Sequence, residues 1–153
     1  MKLLIVYASN SGSTYLTSKI IENELKTANF DITCLKAVDV NVQNINSFDL
    51  ILVGSPSWKV NDAEGQPHET ISEFLDSLKK VKLNEKKVAF FGCGDTSYLH
   101  FCGAVDILED FFKKANCVQI VPSLKIDGYY FDQTNNEAKA AAWATVLAEE
   151  ISN

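Results

Sequence analysis

Three short runs of unbroken apolarity constrain this chain more than any other feature. Residues 2–8 are apolar after a single Lys2, residues 49–54 read Asp49-Leu50-Ile51-Leu52-Val53-Gly54, and residues 87–93 carry Val88-Ala89-Phe90-Phe91. A strand with one wet face alternates. A strand with no polar position is covered on both faces, as inner strands of a parallel sheet are. Two further candidates differ. Residues 31–37 mix polar and apolar positions, and residues 117–126 alternate, with Val118, Ile120, Leu124 and Ile126 on one side and Pro122 in the middle. Proline cannot donate to a ladder, which puts that last strand at an edge.

Between the runs lie apolar stripes at helical spacing. The first has Leu16, Ile20, Ile21, Leu25 and Ala28; the second has Ile71, Phe74, Leu75 and Leu78. The third has Phe101, Val105, Leu108, Phe112 and Ala115; the last has Ala138, Ala142, Val146 and Ile151, with Trp143 and Leu147 alongside. Strands and helices therefore alternate, which implies an α/β protein, a three-layer αβα sandwich around a parallel sheet. Three inner and two edge strands fit a five-stranded sheet of order 2-1-3-4-5, whose ligand site lies beyond the carboxyl ends of the strands, at the switch point between strands one and three. At 153 residues, the chain reads as a single domain, 1–153, able to bury about two-thirds of its unfolded surface without a metal or disulfide.

Charge narrows the function. All 14 basic residues are Lys, so every mechanism that needs a guanidinium fork is excluded. The net charge of −6 makes nucleic acid an unsuitable partner and favours basic proteins. The opening apolar run is too short for a secretion signal, and no stretch has the length of a membrane span. Cys34, Cys93, Cys102 and Cys117 show neither CxxC nor zinc-ligand spacing, so they are expected to be reduced thiols in the cytoplasm, with no metal.

Three loops follow the inner strands. The first, Ser9-Asn10-Ser11-Gly12-Ser13-Thr14, runs into a helix. Hydroxyls, a glycine and free backbone N–H groups at a helix start cradle a phosphate without a side-chain cation; an ordinary helix cap is the other reading. The second, Ser55-Pro56-Ser57-Trp58-Lys59 through His68, is long, and its Trp58 is either a stacking plate or a lid packed on the core. The third, Gly92-Cys93-Gly94-Asp95-Thr96-Ser97-Tyr98-Leu99-His100-Phe101-Cys102, offers a second aromatic face in Tyr98. It is not a dinucleotide fingerprint, because Ser97 stands where a third Gly is needed. Asp95 either accepts from a heterocycle's N–H groups or caps a helix. A flat heterocycle carrying a phosphate would fit between the two plates.

With these loops the sequence resembles the flavodoxins, of the short-chain type, over essentially its whole length. Ser9-Asn10-Ser11-Gly12-Ser13-Thr14 is similar to that family's FMN phosphate loop, and Ser57-Trp58 sits where one flavin-stacking aromatic stands. Gly92-Cys93-Gly94-Asp95-Thr96-Ser97-Tyr98, with Phe101-Cys102 and Ala104-Val105-Asp106, resembles the second flavin loop, the most specific match. An uninterrupted strand at 117–126 belongs to the short-chain pattern. The resemblance implies FMN held by Ser9 to Thr14, by Ser55, Pro56, Ser57, Trp58 and Lys59, and by Cys93, Gly94, Asp95, Tyr98, His100, Phe101 and Cys102. It implies a low-potential one-electron carrier, not an enzyme, that meets basic redox partners briefly as a monomer.

One departure stands out. Several short-chain flavodoxins have Gly after the loop-two aromatic, where a peptide flips to accept the N5–H of one-electron-reduced flavin; here Lys59 and Val60 follow Trp58. A flip to positive φ is costly without Gly. A phosphoacceptor domain would need acids where Ser9-Asn10 and Gly54-Ser55 stand, and a hydrolase would need a nucleophile elbow that is missing. The open alternative is an FMN-dependent reductase or a flavodoxin-like activator of a metalloenzyme; no second nucleotide motif supports the former.

Overall fold

The three apolar runs lie side by side in one sheet. In the computed structural model, which describes residues 1–153, they are β1 (Lys2–Tyr7), β3 (Leu50–Val60) and β5 (Lys87–Gly94), with β2 (Asp31–Lys36) outside β1. The order is β2-β1-β3-β5, and β6 (Val118–Gln119) and β7 (Leu124–Asp127) both pair with the outer edge of β5. All these pairings are parallel, in the expected order.

The pleat splits the inner strands between two cores. Leu3, Ile5, Leu50, Leu52, Ala89 and Phe91 face α1 (Ser13–Thr27) and α4 (Gln133–Ser152). Leu4, Val6, Ile51, Val53, Val88 and Phe90 face α2 (Glu69–Leu78) and α3 (Gly103–Lys114). Every one of these strand residues is at most 1% exposed, and each but Ala89 contributes about 1.5–3 kcal/mol from burial. Covering both faces drives all the chemistry to the strand ends.

Three elements differ from expectation. The last strand is not uninterrupted: residues 120–123 separate β6 from β7, and after Ile120 N–H on Val88 O (3.1 Å) the chain steps out of the ladder. Pro122 is the reason, and Trp143 Nε1–H caps its carbonyl at 2.8 Å. The break is only four residues long, with no inserted loop. The buried line of α4 is Asn136, Ala140, Ala144, Leu147 and Ile151, whereas Ala138, Ala142 and Val146 are exposed. Alanines on every face carried no directional signal there. In α1 the buried line is Thr14, Thr17, Ser18, Ile21, Glu22 and Leu25, with Leu16 and Ile20 at its margin. Buried hydroxyls return their protons to the helix, as from Thr17 to Ser13 O (2.9 Å) and Ser18 to Tyr15 O (2.7 Å).

The long second loop is mostly strand. β3 continues past the sheet to Val60, turns through Asn61 and Asp62, and returns as the antiparallel β4 (Ala63–Pro67). Asn61 and Asp62 have φ of 49° and 63°, the left-handed pair a two-residue hairpin turn needs. Between the Trp58–Gln66 and Val60–Ala63 pairs the register slips, so Lys59 faces both Glu64 and Gly65. Gly65, at φ 70°, supplies the left-handed residue of this bulge. No helix is long and apolar enough to cross a membrane, and all four cysteines are unpaired.

Candidate functional site

The carboxyl ends of β1, β3 and β5 converge as the topology requires. After β1 the chain turns at Gly12, whose φ of 96° makes it the left-handed N-cap residue of α1. A Cβ there would also lie 2.9 Å from Tyr130 Oη, so only Gly suits the position. No side chain caps α1; Ser9 Oγ instead accepts from Gly12 N–H (3.1 Å). The N–H groups of Ser13, Thr14 and Tyr15 have no acceptor in the protein, and the helix ladder begins with Leu16 N–H on Gly12 O (2.9 Å). Thr14 Oγ1 is fully buried without a hydrogen-bond partner. The Cys93 thiol beside it is bonded to Thr17 Oγ1 instead (3.5 Å). This donor set, unsatisfied and at the positive end of a fifteen-residue helix, is complementary to a phosphate.

The hairpin β3–β4 forms the second wall. It is pinned to α3 by Ala104 N–H donating to Ser57 Oγ (3.0 Å) and by backbone contact between glycines. A Cβ on Gly103 would lie 2.8 Å from Gly65 Cα, so the two segments touch main chain to main chain. Trp58 is 41% exposed and so does not pack into the core. Residues 95–102 form the third wall. Asp95 accepts from Ser97 N–H (2.8 Å), and these Ser97 bonds hold its carboxyl below the usual range. Asp95 thus caps its own turn. Thr96 donates from both N–H (2.9 Å) and Oγ1 (2.8 Å) to Asp127, fixing the loop to the end of β7. Leu99 N–H reaches across to Glu64 Oε2 (3.2 Å).

Trp58, Lys59, Glu64, Asp95, Tyr98, His100 and Cys102 line a cleft of about 190 Å³ between these walls. A larger groove of about 570 Å³ runs along the loop after β1, where Ser9, Asn10 and Gly12 line it with Tyr15, Lys36 and His68. The smaller cleft holds both aromatic plates and is the better site for a heterocycle, despite its size. The structure brings most of the expected residues together at these walls. Two spend their polar groups internally: Ser55 Oγ donates to Pro56 O (2.8 Å) and accepts from His68 N–H (3.0 Å), and Ser57 Oγ takes Ala104 N–H. Cys102 is wholly buried, with its thiol pushed up to about 12 by burial, so it lines the floor as an inert group. Burial raises the Cys93 thiol too.

Two contributors escaped sequence reasoning. Tyr130 Oη donates to Ser11 O (2.6 Å), bracing the phosphate loop from the far side. It follows β7, at the end of an edge strand, and an isolated tyrosine there carries no local pattern. His68 Nε2 lies 2.9 Å from Asn10 Oδ1, a contact that spans 58 residues and leaves no sequence pattern.

An αβα sandwich over a parallel sheet, with unsatisfied N–H groups at the start of α1 and two exposed aromatics at the strand ends, defines a flavodoxin-like protein. The sequence model of the family described as flavodoxin matches residues 5–143, and the chain belongs to that family. It is 35% identical over 151 residues to a flavodoxin of Maridesulfovibrio salexigens, covering 98% of this chain and 99% of that one. Oxidised flavodoxin 2 of Bacillus cereus superposes with a TM-score of 0.88 at 31% identity, over 98% of this chain and 99% of the other. A Fusobacterium nucleatum flavodoxin bound to flavin mononucleotide has the same fold, with a TM-score of 0.80 at 20% identity over 97% and 98% of the two chains.

Proposed function

We propose that the protein is a low-potential one-electron carrier that holds FMN non-covalently and passes electrons between reductases and acceptor enzymes. The observation that carries this reading is the buried, unpartnered Thr14 Oγ1 beside three unsatisfied N–H groups at the start of α1. The Ser9–Thr14 loop contains no cation, so its N–H and hydroxyl donors are what a phosphate would meet there. FMN bound there supplies the one-electron redox chemistry; the protein supplies binding and electrostatics.

Ser13, Thr14 and Tyr15 N–H and the loop hydroxyls bind the phosphate. Trp58 and Tyr98 stack on the ring and exclude water. Asp62, Glu64 and Asp95 around the cleft oppose added negative charge and lower the second reduction potential. Lys59 works against them, but its ammonium and the fully exposed Asp62, 3.8 Å away, are both largely screened, so Glu64 and Asp95 weigh most. The same acidic rim would dock basic partners in short-lived complexes, with the protein a cytoplasmic monomer.

Titration of FMN and of riboflavin with apoprotein, followed by quenching of flavin fluorescence, tests this directly. FMN is expected to bind stoichiometrically and riboflavin far more weakly. Equal affinities would remove the phosphate nest from the account, and no quenching by either would remove the flavin.

A further inference from the structure

We propose that His68 is a positioning residue for the phosphate loop, holding the Asn10 side chain so that its amide protons are free for the phosphate monoester. The inference rests on the FMN reading above. His68 joins β4 to α2 and is the N-cap residue of that helix. Its Nδ1 accepts from Thr70 N–H at 3.1 Å and lies 2.9 Å from Thr70 Oγ1. A backbone N–H can only donate, so Nδ1 carries no proton in this arrangement. The neutral imidazole therefore carries its proton on Nε2 and donates it to Asn10 Oδ1 at 2.9 Å. The backbone of His68 is fixed as well, by its N–H on the buried Ser55 Oγ (3.0 Å).

That chain of bonds orients Asn10. With its oxygen committed to His68, the Asn10 amide keeps two Nδ2 protons, neither of which has an acceptor in the protein. They add to the N–H groups of Ser13, Thr14 and Tyr15 in a loop that contains no cation. Where neutral donors do all the binding, their placement decides affinity, because no point charge tolerates misalignment for them. His68 thus couples three separate segments at one residue: its imidazole joins the loop after β1 to the first turn of α2, and its backbone N–H holds Ser55 of β3.

The test is a double-mutant cycle with H68N and N10A in the full-length protein. Asparagine places an oxygen near the position of Nδ1 and keeps the cap on Thr70 N–H, but it does not reach Asn10. H68N is expected to weaken FMN about tenfold, the worth of one hydrogen bond, with riboflavin affinity and apoprotein melting unchanged. N10A is expected to do the same, and the double variant to be no weaker than either alone. The 15N spectrum of the apoprotein should show His68 as the Nε2–H form, kept in N10A because Thr70 N–H still holds Nδ1 unprotonated, but with the Nε2 resonance shifted by loss of its acceptor. Equal losses for FMN and riboflavin, additive losses in the cycle, or an Nδ1–H imidazole would each overturn the proposal. If the wild type binds no FMN, the cofactor reading fails and the proposal falls with it; if it binds FMN and H68N binds equally well, the proposal alone fails.

Discussion

Replacing Thr14 by Val should move the free and loaded proteins in opposite directions. Thr14 is completely buried and its hydroxyl has no partner. Burying an unsatisfied hydroxyl costs about 1–3 kcal/mol. Valine has nearly the same shape and the same β-branching, so the first turn of α1 bears little new strain. The apoprotein should therefore gain about 1 kcal/mol, or roughly 2–4 °C in Tm for a chain of this size. With FMN bound, the threonine hydroxyl donates to a charged oxygen, an interaction of about 1.5–3 kcal/mol. Its loss should weaken FMN by roughly 10- to 150-fold and leave riboflavin unaffected. Thermal melts of apoprotein and fluorescence titrations with both flavins read the two effects. An apoprotein that melts lower, with FMN affinity intact, would refute the reasoning: the hydroxyl would then be serving the protein rather than the ligand.

Other perturbations reach different parts of the structure. Lys59→Gly, in the hairpin bulge, should raise the first reduction potential by roughly 40–80 mV, as relief of about 1–2 kcal/mol of positive-φ strain reads at about 59 mV per tenfold; potentiometric titration that finds it unchanged or lower refutes this. Electron transfer to a basic acceptor such as cytochrome c should slow about tenfold as the Debye length falls from about 30 to 8 Å with added salt, and stopped-flow rates that ignore ionic strength would contradict the acidic docking face. Burial alone would raise the Glu22 carboxyl, but the ammonium groups of Lys19 (2.7 Å) and Lys26 (2.6 Å) outweigh it and hold the group below its ordinary value. A depressed folded-state value means that stability is present above the unfolded pKa and lost as pH falls through the folded one. Glu22→Gln should therefore cost about 1 kcal/mol near neutrality and flatten the acid limb of a stability–pH profile; an unchanged acid limb would dismiss the pair of bridges.

How much of this was legible depends on whether the signal was local. Leu3 to Val6, Leu50 to Val53 and Val88 to Phe91 announced inner strands because residues covered on both faces admit no polar position. Ile71, Phe74, Leu75 and Leu78 marked α2 unambiguously. The turn into α1 was legible from its hydroxyls and its single Gly12. The hairpin was not: its turn is Asn61-Asp62, without the glycine that usually signals a left-handed pair, and its strands are polar beyond the sheet. The break at Pro122 was half legible, since the proline marked an edge but not the step that divides β6 from β7. Serine readings were the least secure, because a hydroxyl that binds a ligand and one that anchors a helix, as Ser57 does for Ala104, look alike in sequence. The bonds from Tyr130 to Ser11 and from His68 to Asn10 are products of the fold and have no sequence trace.

The account stands most directly on stepwise anaerobic reduction of the FMN-loaded protein, followed by its visible spectrum at controlled potential. It predicts two separate one-electron steps, with the long-wavelength absorption of neutral one-electron-reduced flavin rising and then falling, and a second potential well below that of free FMN. A single two-electron step at the potential of free FMN would contradict the carrier function.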